Sequence, residues 1–409
     1  SHWSAAGATE TALDLVIQTG RHMGTVGAVR QAAELLLKAL TLCISDDQRL
    51  TVLNERRTFL EAGGSRLDRQ DNCRWALEIE TRLAGGAARA HSENELAILS
   101  ARLDGQRIDH FVDQVLLCVN CVDASIEHRL SAAAIGMMVA YGESDALTAQ
   151  TVARIVSTVV AKTPRERLHA LRSRMIYEYE FGDPNEAINA SSEYLSIYRK
   201  TMSKRMSQAI RISSIAFRLT GEFDRMRALL EEALRLARRS RHPVDEALSL
   251  THMLQAATDQ GDFAAAETEM HRLLALFADH PAAADLSMHV AIAGVAALVG
   301  AHKIATERLA LVKDIPLTTH GRCDFLAAHV LAAVTGGTRC DDSTLTELLA
   351  LNERLLGRPG QEDATVSIAL ALDQRGKTAE ARALVRAYQM KNRRELYPSR
   401  HPLLSKFAD

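Results

Sequence analysis

Aromatic residues are scarce in this chain, at 4 %, and proline occurs only eight times in 409 residues. Few prolines leave room for uninterrupted helices, because an interior proline removes a hydrogen bond and clashes with the preceding turn. Scarce aromatics deprive the chain of the large residues that strands favour. Neither sign of charge dominates: the formal net charge is −2 at pH 7. A dedicated nucleic-acid binder carries a basic surplus, so no direct nucleic-acid partner is expected. No apolar run reaches the roughly 20 residues that cross a bilayer. The longest nearly uncharged stretch, 286–301, contains His289 and reads as a buried helix. The N-terminus shows no charged segment followed by an apolar one, so no signal peptide is visible. A cytoplasmic location without a membrane partner is the expectation. The six cysteines, Cys43, Cys73, Cys118, Cys121, Cys323 and Cys340, are scattered through apolar stretches. They read as reduced thiols packed as small hydrophobes.

Hydrophobic residues make up 47 % and charged residues 24 %, enough to fold. Alanine, leucine and arginine are abundant, and these lose little on entering a helix. A single core rarely grows to this length, so several domains or one repeat array are the alternatives. Internal periodicity decides between them. The phrase Thr220-Gly221-Glu222-Phe223 recurs as Gln260-Gly261-Asp262-Phe263, as Phe181-Gly182-Asp183-Pro184 and as Val299-Gly300-Ala301-His302. From Gly182 the glycines step by 39, 40 and 39, and Gly376, in Arg375-Gly376-Lys377-Thr378, lies 76 further on, with Gly336-Gly337 between. Fainter matches run backwards through Gly142, Gly105, Gly63-Gly64 and Gly24. A helix that stops and reverses within a few residues calls for positive φ, which glycine adopts without a Cβ clash. Five positions after the turn a small residue returns as Ala187, Ala266, Ala305 and Ala381, with Met226 as the exception. Prolines at 164, 243, 281, 316 and 359 fall between units, where they can open the next helix.

Segments 168–200, 205–241 and 244–280 resemble tetratricopeptide repeats in their helix, Gly-Asp/Glu-Phe turn and small-residue-led second helix. The units are longer than usual for that family, the early large aromatic is mostly missing, and Thr338–Ser343 enlarge one turn. The resemblance implies an all-α, right-handed α-solenoid of about nine or ten helix–turn–helix repeats. Residues 1–10 read as a tag remnant or disordered start, 11–164 as divergent repeats, 165–398 as clearer ones and 399–409 as a tail. The chain starts at Ser1 rather than Met, which reads as a segment of a larger protein.

Catalytic motifs fail on inspection. Gly376-Lys377-Thr378 lacks the upstream glycine of a phosphate loop, since position 371 is alanine. Cys118-Val119-Asn120-Cys121 is a lone pair where zinc needs four ligands. Fifteen histidines include no His-Glu-x-x-His, and no nucleophile elbow is present. Basic runs at Arg199–Arg211, Arg235–Arg241 and Lys391–Arg400 read as solvated faces or helix ends. The expectation is a protein that binds rather than catalyses, with neither cofactor nor metal.

In the family the first helix of each unit lines the inner surface. Matching the turn glycines places His169, Arg172 and Tyr179 inward, then Gln208, Arg211 and Arg218, then Thr251, Gln255 and Asp259. That groove would be basic at one end and polar further along, suiting an acidic peptide or protein, since arginine forks match carboxylates. The Gly300 unit turns apolar at Val290, Gly294 and Ala297, which suits an apolar ligand or helix, or self-association into a homo-oligomer. The Ala/Leu/Arg-rich units also resemble helical sensor regions of large bacterial transcription activators. The resemblance implies a non-catalytic domain that senses a partner or small inducer for a larger regulator. The alternative is a free-standing protein–protein adaptor.

Overall fold

The computed structural model describes residues 9–25, 28–63, 66–83, 116, 119–120, 125–201, 206–218, 220–315, 317–355, 361–391, 403 and 406–407. Among them are eighteen α-helices, three short 3-10 turns and no strand. In chain order the helices are α1 (Thr9–Thr25), α2 (Val29–Ala39), α3 (Asp46–Gly63), α4 (Arg66–Arg82), α5 (Ile126–Glu143) and α6 (Ala146–Thr158). There follow α7 (Pro164–Glu180), α8 (Pro184–Thr201), α9 (Met206–Ile215), α10 (Phe223–Arg239), α11 (Pro243–Asp259) and α12 (Phe263–Asp279). The last six are α13 (Leu286–Leu298), α14 (His302–Ala310), α15 (Thr319–Thr335), α16 (Asp342–Arg354), α17 (Gln361–Gln374) and α18 (Thr378–Lys391). Within α1–α4 and within α5–α18, consecutive helices pack as hairpins and each hairpin packs on the next. The molecule is an all-α helical-repeat solenoid.

Turn chemistry explains the hairpins. Gly221, Gly261, Gly300, Gly337 and Gly376 all have φ between 71° and 80°. After each, a backbone N–H reaches back five residues: Glu222 to Phe217 O, Asp262 to Ala257 O, Ala301 to Ala296 O, Thr338 to Ala333 O and Lys377 to Leu372 O. These are Schellman closures, which satisfy carbonyls that the helix end leaves open. Gly182 departs from the pattern, since it is not among the positive-φ glycines. A Cβ there would collide with Glu178 Oε2, which accepts from Asp183 N at 2.9 Å. Gly142 lies in the last turn of α5, and Ser144 takes the left-handed position at φ 53°. Gly24 is not a turn residue: it lies inside α1, where an added Cβ would collide with the Phe59 ring. Gly64 and Gly105 lie outside the described residues, as do Cys118, Cys121, Pro316, Pro359 and residues 392–400.

The other punctuation marks work as read. Pro164 and Pro243 open α7 and α11. Before α7, Thr163 Oγ accepts from Glu166 N and the Glu166 carboxylate accepts from Thr163 N, a reciprocal cap. Ala187, Ala266, Ala305 and Ala381 are fully buried, so the second helix of each hairpin can approach the first closely. Met226 is also fully buried, filling with sulfur and methylenes the space the alanines leave to backbone. One apolar cluster joins Leu250, Leu254, Met270, Leu273, Ile292 and Val295. The next holds Val330, Leu348, Val366, Ile368 and Val385, and it includes Phe407 from the 399–409 stretch. Helix α13 is buried on nearly all sides, which accounts for its lack of a polar stripe. Among the described residues no helix is long and apolar enough to cross a membrane.

A contact between distant repeats completes the architecture. Helix α5 meets α15, 176 residues further along. Thr319 donates its hydroxyl to Glu143 Oε2 at 2.7 Å, and His320 Nε2 lies 2.9 Å from Ser144 Oγ and 3.0 Å from Glu180 Oε1. The Tyr141 ring stacks on His320 at 5.1 Å. Instead of an open groove, the first helices from α5 to α15 enclose a channel.

Candidate binding site

The channel contains a cavity of about 140 Å³ bounded by α5, α7, the 3-10 turn Ala216–Arg218 that follows α9, and α11, α13, α15 and α17. Its wall is apolar along α13 and α15, at Val290, Gly294, Ala327 and Leu331. Its polar groups include Tyr141, Tyr179, Arg218, Gln255, Asp259, His320, Asp324 and Asp363. Of the nine residues read as inward-facing, four therefore come together here: Tyr179, Arg218, Gln255 and Asp259. His169, Arg172 and Gln208 are half-buried outside the cavity lining, while Arg211 and Thr251 are buried. Thr251 spends its hydroxyl on Ala247 O. Ala297 packs into the core instead of the channel.

Arg218 is not a free cation. It grips Asp259 with two bonds of 2.5 and 2.9 Å, a bidentate pair whose side chains are 17 % and 8 % exposed. With that pair neutral as a unit, Asp324 and Asp363 add two further carboxylates to the cavity wall. Both are exposed toward the lumen. The surrounding protein, more than any single neighbour, lifts the Asp324 carboxyl to about 6, and Asp363 adds to the rise. Burial also holds the Tyr141 phenol well above its usual value, reinforced by Tyr179, Glu180 and Asp324. The far part of the groove is thus acidic where the sequence reading had it merely polar. Asp324 and Asp363 each stand thirteen residues before their turn glycines, Gly337 and Gly376. His169, Gln208 and Ser287 hold the same offset in their own units. Carrying the register through the last two hairpins would have found them.

A second polar layer lies two helical turns along the first helices. Arg172 is seven residues before Tyr179, Arg211 seven before Arg218 and His252 seven before Asp259, so each shares a face with a cavity residue. Arg211 Nη1 lies 3.4 Å from His252 Nε2, and His252 Nδ1 lies 3.1 Å from Gln255 Oε1. Burial, then the Arg211 charge, pushes His252 down to about 3, against the pull of Gln255. Folded protein therefore keeps His252 neutral, whereas the unfolded chain protonates it below about 6.5. Its contribution to stability is complete above that pH and drains away as pH falls toward 3, by at most ~1.4 kcal/mol per pH unit. Asp324 acts oppositely, because the folded state holds its proton between the ordinary 3.8 and about 6. We expect His252→Gln to flatten the loss of stability from pH 6.5 to 4.5, and Asp324→Asn to steepen it by a smaller amount, because the Asp324 side chain stays open to solvent in the cavity. Urea unfolding at three pH values in that window measures both.

Two larger clefts, of about 340 and 540 Å³, lie between second helices on the outer face. Their arginines are largely answered by carboxylates: Arg199 by Glu232, Arg238 by Glu246 and Arg272 by Glu269. The basic runs of α8 and α10 are thus solvated, mixed-charge surfaces. Among the described residues no cluster of three or more His, Cys, Asp or Glu side chains could hold a metal ion. The described cysteines Cys43, Cys73, Cys323 and Cys340 are buried thiols.

No protein-family model matches the sequence, and no curated protein matches it. Solved structures do match in shape. A Rap protein complexed with competence and sporulation factor has a TM-score of 0.59 at 16 % identity, over 86 % of this chain and 100 % of that one. The tetratricopeptide-repeat-sensor STAND ATPase of Pyrococcus horikoshii reaches 0.52 at 12 % identity, over 92 % of this chain and 54 % of its own length. The Cut9–Hcn1 hetero-tetramer of the APC/C reaches 0.50 at 11 % identity, over 97 % and 76 %. At such identities the likeness concerns the fold, and together with the repeating Gly-closed hairpins it makes this chain a tetratricopeptide-repeat-like α-solenoid.

Proposed function

We propose that this chain is a non-catalytic receiving module that takes a peptide or protein segment into the channel closed by α5 and α15. The observation that carries the reading is the channel interior. Asp324, Asp363 and Gln255 face a cavity flanked by Gly294, and polar side chains converging on an otherwise apolar cavity give an entering chain partners for its own polar groups. The shape match to a Rap protein complexed with competence and sporulation factor supports the same reading, since it extends over the whole of that chain. The finer reading is the sensing part of a larger bacterial transcriptional regulator, to which the resemblance to the repeat sensor of a STAND ATPase lends support. The groove-lining roles of Tyr179, Gln255 and Asp259 belong to this proposal.

The test is direct. The chain is mixed with a pool of random-sequence pentapeptides, separated by size and analysed by mass spectrometry for retained peptides. A reproducible retained subset, displaced by excess of one of its members, is expected. Retention no better than on an unrelated helical protein would end the proposal. The regulator reading further expects the reading frame that contains this segment to encode a DNA-binding or ATPase module.

A further inference from the structure

The outer cleft of about 540 Å³ departs from the mixed-charge surface around it. It lies between α8 and α10, the second helices of adjacent hairpins, with the end of α9 behind them. Stacked hairpins set their second helices side by side in one direction. The Arg199–Glu232 pair joins these two and fixes their register. Seven residues earlier in each helix stand Ser192 and Arg225, so these also face one another. Between the two levels α8 carries Ser196 and α10 carries Ala228, whose small side chain leaves the space open.

Hydroxyls crowd the walls. Ser213 donates to Ser191 O at 3.4 Å. The Ser191 hydroxyl itself is unpartnered: the residue lines the cleft, is 1 % exposed, and its Oγ makes no hydrogen bond. A buried hydroxyl in that state costs stability unless a group entering the cleft supplies its partner. Arg225 stacks over the Phe217 ring at 4.3 Å, and its tie to Glu222 is a 3.4 Å contact between side chains 57 % and 43 % exposed. The ring holds the guanidinium plane while most of its donors stay available to an anion. Among the lining residues three cations, Arg199, Lys200 and Arg225, answer one carboxylate, Glu232. The cleft of about 340 Å³ on the other side of α10 differs. Its lining has two carboxylates and no hydroxyl, and Glu246 and Glu269 hold two of its four arginines.

We infer that the cleft between α8 and α10 is a second binding site, separate from the channel, and that it takes a phosphate monoester. Arg225 and the hydroxyls of Ser191, Ser192 and Ser196 hold the phosphate, and Leu195, Phe217 and Leu229 receive the organic group. Three phosphate oxygens use an arginine fork and several hydroxyl donors together, more than the two oxygens of a carboxylate can. A water molecule takes ~30 Å³, so a bare phosphate would leave most of the cleft empty. A free small molecule and a phosphorylated side chain share this chemistry.

The probe is phenyl phosphate at millimolar concentration and constant ionic strength, measured by equilibrium dialysis beside its two halves, inorganic phosphate and benzyl alcohol. Phenyl phosphate is expected to bind at least about tenfold more tightly than either half. Arg225 is more than half exposed, so Arg225→Ala keeps the fold, and it should weaken binding at least about tenfold. Ser192→Ala with Ser196→Ala should weaken it severalfold. Arg235→Ala, in the neighbouring cleft, and Gly294→Leu, in the channel, should leave it unchanged. A capped phosphotyrosine tripeptide that binds as well as phenyl phosphate identifies a phosphorylated side chain as the source, and its exclusion identifies a free small molecule. Binding that survives Arg225→Ala, or that Arg235→Ala weakens equally, reflects surface charge alone and overturns the inference. So does failure of phenyl phosphate to bind, and neither result touches the proposed role of the channel.

Discussion

Arg218→Met is expected to lower the free energy of unfolding by ~3–5 kcal/mol, because it strands the Asp259 carboxylate inside the channel wall. Asp259 is 8 % exposed and takes both of its strong hydrogen bonds from Arg218. Removing the cation leaves the full desolvation cost of the anion without its compensation. The double variant Arg218→Met with Asp259→Leu should recover most of the loss, since the buried charge disappears with its partner. A surface control behaves differently. Arg30 and Glu34, 84 % and 59 % exposed, form a pair that water screens, and Arg30→Ala should leave the midpoint nearly unchanged. Guanidinium unfolding of the three variants beside the parent chain measures the set. If Arg218→Met proved as mild as Arg30→Ala, the channel wall would be far wetter than its packing implies.

Gly294→Leu is expected to separate binding from stability. An added Cβ at Gly294 meets nothing within 4 Å, and the residue faces the cavity from the middle of α13. Leucine in place of an interior helical glycine favours the helix by up to ~1 kcal/mol. The branched side chain would occupy most of a cavity of about 140 Å³. Peptide retention should fall on the order of a hundredfold, equivalent to ~2.7 kcal/mol, while the melting temperature holds or rises. Binding unchanged by Gly294→Leu would move the site out of the channel altogether.

Much of the fold is legible because solenoid repeats repeat their turn chemistry. Gly221, Gly261, Gly300 and Gly376 announce their own φ, and the alanine five places after Gly261, Gly300 and Gly376 announces a close helix approach. Where the turn is built another way the glycine misleads. At Gly182 the turn leans on Glu178 and on Pro184 opening the next helix, and at Gly24 the missing Cβ makes room for Phe59. The candidate site was half legible for a related reason. Offsets from the turn glycine place Tyr179, Arg218, Gln255 and Asp259 on the inner face, because i and i+7 share a helix face. Which charges neutralise one another is a different matter. Arg218 reads as an open cation until Asp259, 41 residues on, is seen to hold it. The meeting of α5 with α15 leaves no local mark at all. It follows from small rotations accumulated over five hairpins, which no single repeat encodes.

That closure is the claim on which the enclosed channel depends, and a cross-link tests it. A Cβ built on Gly142 lies 3.5 Å from Thr318 Cβ, within the range of a relaxed disulfide. Mild oxidation of the double variant Gly142→Cys with Thr318→Cys is predicted to give an intramolecular disulfide, read as a linked pair of tryptic peptides absent from the parent chain. Free thiols at both positions after oxidation, or links only between molecules, would mean that α5 and α15 stand apart and that the groove is open.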